Sequence, residues 1–100
     1  MNRDATIRTA QSIISNHRQK LYGKAEDNFK NIAARWTQLL GIEIKPWHVG
    51  VMMADVKLAR LCNGPHPDGF VDGIGYLALA SELSSDELEM RAIDEGSTAL

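Results

Sequence analysis

The stretch VKLARLCNGPHPDGFVDGIGYLA, residues 56–78, decides how the chain folds. Lys57 and Arg60 stand three apart, a Gly64-Pro65-His66-Pro67 turn follows, and Asp68 and Asp72 stand four apart. Spacings of three and four put helical side chains on one face. Lys57 and Arg60 therefore share a line on one helix, and Asp68, Asp72 and Tyr76 share a line on the next. The turn between them is short and dense in Gly and Pro, a strong breaker. Two helices so joined are antiparallel neighbours. Lys57 and Arg60 are expected to meet Asp72 and Asp68 across the seam.

Working outward, the helix that carries Lys57 begins near Pro46, a favoured first-turn residue, and ends at Leu61 or Cys62. It is apolar on nearly every side, with Val49, Val51, Met52, Met53, Ala54, Val56, Leu58, Ala59 and Leu61. Such a helix is expected to be central and covered all round. Upstream, residues 25–40 place Phe29, Ile32, Ala33, Trp36, Leu39 and Leu40 on one stripe. Glu26 and Asp27 lie in that helix's first turn, where acids suit the dipole, and Gly41 closes it. Residues 42–45 read as a connection. A first helix over 4–20 repeats Ile7, Ala10, Ile14 and Leu21 at helical spacing, with Asp4 as N-cap and Tyr22-Gly23 as its stop.

Downstream, Phe70, Val71, Ile74, Leu77, Ala78 and Leu83 make the fourth helix, starting at or just before Asp68. Gly69, Gly73 and Gly75 weaken it by about 1 kcal/mol each relative to Ala. Gly73 and Gly75 therefore imply close approach of a neighbouring backbone or a ligand. Ser84-Ser85-Asp86-Glu87 resembles a helix cap, with a short helix and a frayed end after it. The expected architecture is all-α: a single domain over 1–100, with a four-helix bundle at about 4–83 and a short helical tail at 84–100.

The 100 residues are 44% apolar and 24% charged, with a formal net charge of -2. A chain that lives on a DNA or RNA duplex shows a basic excess, so nucleic acid is not an expected partner. The longest dense apolar run, around Val49 to Cys62, is too short for a bilayer and contains Asp55, Lys57 and Arg60. Nothing resembles a signal peptide. Cys62 is the single cysteine, so no internal disulfide forms and a reducing, cytoplasmic setting fits. It reads as a buried small hydrophobe. A core this small is helped by association. With so apolar a third helix, a homo-oligomer is expected, dimer or tetramer.

The charged residues at the seam admit two readings. They form an inter-helix ion-pair network, or they line a polar site for a ligand. Partly buried ion pairs seldom add stability over apolar packing, which favours the second. Two chemistries suit such a site. Asp68 and Asp72, joined by Glu26 and Asn28, could ligate Mg²⁺ together with water and phosphate. Alternatively Lys57 and Arg60 could hold phosphate, Arg by its planar fork and Lys as a point charge. His66, in the turn beside them, is a further candidate contact. His17, His48 and His66 lack zinc-site spacing. Trp36 fits the core stripe, and Met52 and Met53 read as core. Trp47 is either a staple at a helix start or an exposed stacking surface.

Three motifs in order, YGKAEDNFKNIAARWTQLLG at 22–41, MMADVKLARL at 52–61 and HPDGFVDGIGYLALA at 66–80, resemble a family of small phage and prophage proteins. Asp55 departs from that pattern, which has an aliphatic residue there. The family is similar to all-α nucleotide pyrophosphohydrolases of MazG type. Those are helical oligomers that split nucleoside triphosphates into monophosphate and pyrophosphate with Mg²⁺ held by two acid pairs. The resemblance implies a MazG-like bundle and a nucleotide-type ligand. Here Lys57 and Arg60 stand where an acidic pair would lie, and Glu26 lacks its second acid.

These departures favour a protein that binds a small phosphorylated nucleotide without cleaving it, possessing no catalytic residue and needing no cofactor. A second messenger of host defence is one such ligand, sequestered in the cytoplasm of an infected or lysogenic bacterial host. Lys57 and Arg60 would hold phosphate; Asp68, Asp72, Tyr76, Asn28 and His66 would complete the site. The enzyme alternative is a Mg²⁺-dependent nucleoside triphosphate pyrophosphohydrolase with Asp68, Asp72 and Glu26 on the metal. A third reading is a protein-interaction module, whose mark would be an exposed apolar patch.

Overall fold

The computed structural model describes residues 1–17 and 25–95. Among these lie five α-helices and no strand: α1 Arg3–Ser12, α2 Ala25–Leu40, α3 Pro46–Leu61, α4 Pro67–Leu83 and α5 Ser85–Glu95. A π-helical turn, Ile13–His17, prolongs α1. The all-α expectation holds, and the tail carries a longer helix than expected. The expected stop at Tyr22-Gly23, the stripe residue Leu21 and the frayed end at 96–100 lie outside the described residues.

Local chemistry accounts for most helix ends. Asn2 rather than Asp4 caps α1, accepting the Ala5 N–H at 2.8 Å. Asp4 instead sits in the first turn, where its charge favours the helix dipole. Gly41 takes a φ of 71° just after α2 and donates its N–H to the Thr37 carbonyl at 2.9 Å. The Thr37 hydroxyl then accepts the Ile44 N–H at 2.8 Å, pinning the connection to α3. Both α3 and α4 begin on a proline beside a histidine that accepts a backbone proton. His48 Nδ1 takes the Lys45 N–H at 2.9 Å, and His66 Nδ1 takes the Gly69 N–H at 3.1 Å. Each ring satisfies one of the amides that a helix start leaves unpaired.

The core is built on Phe29 and Ala33 of α2, Val49 and Ala54 of α3, and Tyr76 of α4. Ile32, Trp36, Ile44, Met53, Leu79 and Leu83 pack around them. The closest helix pair is α3 with α4. A Cβ on Gly50 would lie 2.8 Å from the Ala80 Cβ and 3.0 Å from the Tyr76 carbonyl oxygen. A Cβ on Gly69 would lie 2.7 Å from Leu61 Cδ2. These two contacts fix the antiparallel register, Gly50 opposite Ala80 and Leu61 opposite Gly69. Gly75 is a third close approach, with Ile14 Cγ2 at 3.3 Å from its would-be Cβ. Gly73 is not, because nothing among the described residues lies within 4 Å of the same position.

One expectation fails. The helix α3 is not covered all round: Val51, Met52, Val56 and Leu58 are exposed, as are Leu39 and Leu40 at the end of α2. Only the α3 faces turned to α4 (Gly50, Ala54) and towards the core (Val49, Met53) are shielded. Cys62, just after that helix, is exposed rather than buried.

The register contact gives a test. Gly50→Ala gains helix propensity of about 1 kcal/mol but drives a methyl into a backbone oxygen and a Cβ. Overpacking of this kind costs about 1–3 kcal/mol. The expected net result is a lower midpoint in denaturant; a raised midpoint would mean that the helices stand further apart.

Candidate functional site

The seam is half realised. Lys57 Nζ lies 3.1 Å from Asp72 Oδ2, with side chains 17% and 20% exposed. This is the pairing expected from the spacing in residues 56–78. Arg60 and Asp68 are both exposed, and no ion pair joins them among the described residues. Each has a local electrostatic partner instead. Arg60 lies in the last turn of α3 and Asp68 in the first turn of α4, the ends of the helix dipole that favour a cation and an anion. Neither needs the other.

Around the Lys57–Asp72 pair, Tyr76 is buried one turn beyond Asp72. Its ring stacks on Phe29 with centroids 6.3 Å apart and planes 28° from parallel. Glu26 and Asn28 stand close to Phe29 in sequence, at the start of α2. Both of those side chains are exposed. A narrow cleft of about 10 Å³ opens beside Asp72 and Tyr76, walled by Ala10, Ile14 and Leu79. It has room for about one water.

The other candidates separate from this centre. His66 is the cap of α4, and its Nδ1 is engaged by the Gly69 N–H. Asp68, Asp72 and Glu26 are not gathered into a group of metal-ligating side chains, and no such group occurs among the described residues.

A second polar cluster escaped the sequence. Lys45 Nζ donates to Glu87 Oε1 at 2.7 Å, and the Trp47 indole N–H donates to the same oxygen at 3.3 Å. Trp47 also lies against His48, with ring centroids 4.0 Å apart. It is therefore not the exposed stacking surface that was one of its two readings. The cluster fastens α5 to the start of α3 beside a groove of about 200 Å³ lined by Trp47, Ser84, Leu88 and Arg91. The Lys45 hydrogen bond, followed by that of Trp47, holds the Glu87 carboxyl below its ordinary range. The same bond to Glu87 raises Lys45. Partners some forty residues apart leave no local spacing to read.

The family model described as "Domain of unknown function (DUF6378)" matches residues 5–84. The chain belongs to that family. It is 38% identical to the Gene 55 protein of Mycobacterium phage L5 over 85 residues, which are 83% of this chain and 54% of that protein. It is 32% identical to the Gene 55 protein of Mycobacterium phage D29 over 87 residues, 86% of this chain and 58% of that one. The chain thus spans somewhat over half the length of these phage relatives. No solved structure matches. The DUF6378 match takes in α1 through α4 and stops as α5 begins, so the Lys57–Asp72 pair lies inside it and Glu87 lies outside.

Two measurements probe these clusters. Asp72→Ala strands a mostly buried ammonium, so the melting temperature should fall by the equivalent of about 1–3 kcal/mol. The double variant Lys57→Met, Asp72→Leu should recover much of it, because apolar packing replaces an ion pair at little loss. An unchanged melting temperature in Asp72→Ala would place the pair in solvent. For α5, a depressed carboxyl contributes above its unfolded value and is lost as pH falls through the folded value. The raised lysine contributes below its unfolded value and is lost only as pH rises through the folded one. The latch should therefore hold across neutral pH and open in acid. Trp47 fluorescence in a Trp36→Phe background should show that acid transition, and Glu87→Gln should abolish it.

Proposed function

We propose that this DUF6378 protein binds the phosphate of a small nucleotide without cleaving it, through Lys57 and Arg60. The observation that carries the reading is the placement of the two cations. They lie one turn apart on α3, one held by Asp72 and the other open to solvent. A guanidinium offers a planar fork to phosphate oxygens, and an ammonium beside it offers a point charge. Asp72 fixes Lys57 in position before any ligand arrives, which lowers the ordering cost of binding. Asp68 and Asn28, both exposed, supply further polar contacts to sugar or base, and the Phe29–Tyr76 stack forms the apolar floor.

The likeness to MazG-type pyrophosphohydrolases supports a nucleotide as the ligand class. Hydrolysis receives less support, because a cationic pair stands where those enzymes carry acids. The phage relatives support the setting, the cytoplasm of an infected or lysogenic host, where a sequestered defence messenger would be a fitting ligand.

Binding should persist in EDTA and weaken with added salt. The weakening should be partial, because a recessed charge is screened less than an exposed one. Arg60→Lys keeps the charge and loses the fork, so affinity for a mono-, di- or cyclic nucleotide should drop by about tenfold, the worth of one good hydrogen bond. Isothermal titration against a nucleotide panel, with EDTA or Mg²⁺, reads this directly. Absence of binding without metal, together with pyrophosphate release in Mg²⁺, would replace this reading with the enzymatic one.

A further inference from the structure

Between the start of α1 and the turn from α3 to α4 lies a pocket of about 240 Å³, lined by Met1, Thr6, Pro65, His66, Pro67 and Phe70. A cavity of about 150 Å³ accepts a benzene ring, and a site for a drug-sized molecule takes about 300 Å³ or more. This pocket therefore suits one single or fused ring. Its lining suits the same shape. Four of the six residues carry rings, and Phe70 stays 49% exposed beside the buried Val71. The pocket shares no residue with the Lys57–Asp72 pair or with the cleft beside Tyr76.

Two polar groups in the lining have their hydrogen bonding set from within the chain. His66 Nδ1 accepts the Gly69 N–H at 3.1 Å. A neutral imidazole that accepts at one nitrogen carries its proton on the other, so His66 Nε2 is a donor. The Thr6 hydroxyl donates to the Asn2 carbonyl at 3.0 Å, which leaves its oxygen as an acceptor. The pocket thus combines ring walls with one fixed donor and one fixed acceptor. A hydrocarbon would leave both unmatched. A phosphate or carboxylate would find no Lys or Arg in the lining. A nucleobase has a flat face for the walls, and its edge carries hydrogen-bond donors and acceptors, as in the N6 amino group and N7 of adenine.

We propose that this pocket binds a nucleobase, stacked on Phe70 with its edge towards His66 and Thr6. His66 then serves twice, through Nδ1 as the cap of α4 and through Nε2 as a donor to the ligand. The cap holds the ring before any ligand arrives, which lowers the ordering cost of binding. Pro65 and Pro67, with their φ angles locked, stiffen the wall on either side of it. The inference rests on the lining of this pocket and needs neither Lys57 nor Arg60.

Free nucleosides test it, since they lack the phosphate that Lys57 and Arg60 would hold. In ¹H–¹⁵N spectra with adenosine, guanosine, cytidine or uridine at millimolar concentration, at least one should shift the Gly69 amide and the His66 ring signals. Benzene, which has a ring and no polar edge, should not match it. Phe70→Ala changes a side chain that is half exposed, and it should weaken that nucleoside about tenfold or more, the loss of one stacked base. His66→Asn keeps a good helix cap and removes the ring donor. Its melting temperature should hold while its affinity falls by a similar factor. Arg60→Lys should leave nucleoside affinity unchanged. The proposal is overturned if no nucleoside shifts these signals, if benzene matches the best of them, or if Phe70→Ala or His66→Asn binds as the wild type does. It is also overturned if Arg60→Lys weakens the nucleoside as much as Phe70→Ala, since the base would then sit elsewhere.

Discussion

The close contact between α3 and α4 is the constraint on which the rest of the molecule depends. Gly50 lets α3 come against Ala80 and the Tyr76 carbonyl, and Gly69 lets Leu61 reach the backbone of α4. Two such contacts, eleven residues apart on each helix, leave one register for the pair. That register sets Lys57 opposite Asp72 and turns Tyr76 towards Phe29. A side chain in place of either glycine would push the helices apart, and the ion pair would lengthen with the same movement. Backbone approach and the charged site are therefore one structural event.

The same seam shows where reading along the chain succeeds and where it stops. Lys57–Asp72 was legible because spacing on a helix and a short turn are nearly sufficient to predict who faces whom. Arg60–Asp68 was not realised, although the same rule named it. The rule counts faces and ignores helix ends. Arg60 is in a last turn and Asp68 in a first turn, and there the dipole already supplies what a partner would. His66 illustrates the same limit. Its place in the turn suggested a ligand contact, and spacing gave no sign that its Nδ1 is also the cap that starts α4.

The α3 helix failed expectation for a different reason. Hydrophobic patterning states what must leave water; it does not state whether the cover comes from the same chain. Nine apolar positions predicted cover all round, and the fold supplies it to only part of them. Gly73 and Gly75 carried the same ambiguity. Both promised a close neighbour, and among the described residues only Gly75 finds it, in Ile14. The latch of Lys45 and Trp47 on Glu87 had no pattern to betray it, because a contact between residues 45 and 87 follows from the path of α4 and not from any spacing.

The charged seam and the glycines of α4 constrain each other through the register they share. Gly73 stands next to Asp72 on α4, so the open position and the residue that holds Lys57 share one helical turn. A shift of α4 along α3 by one turn is about 5.4 Å, far beyond the 3.1 Å that the ion pair spans. Smaller sliding is resisted by Ala80 against Gly50 and by Leu61 against Gly69. Packed helices of this kind hold one arrangement or another and do not deform continuously.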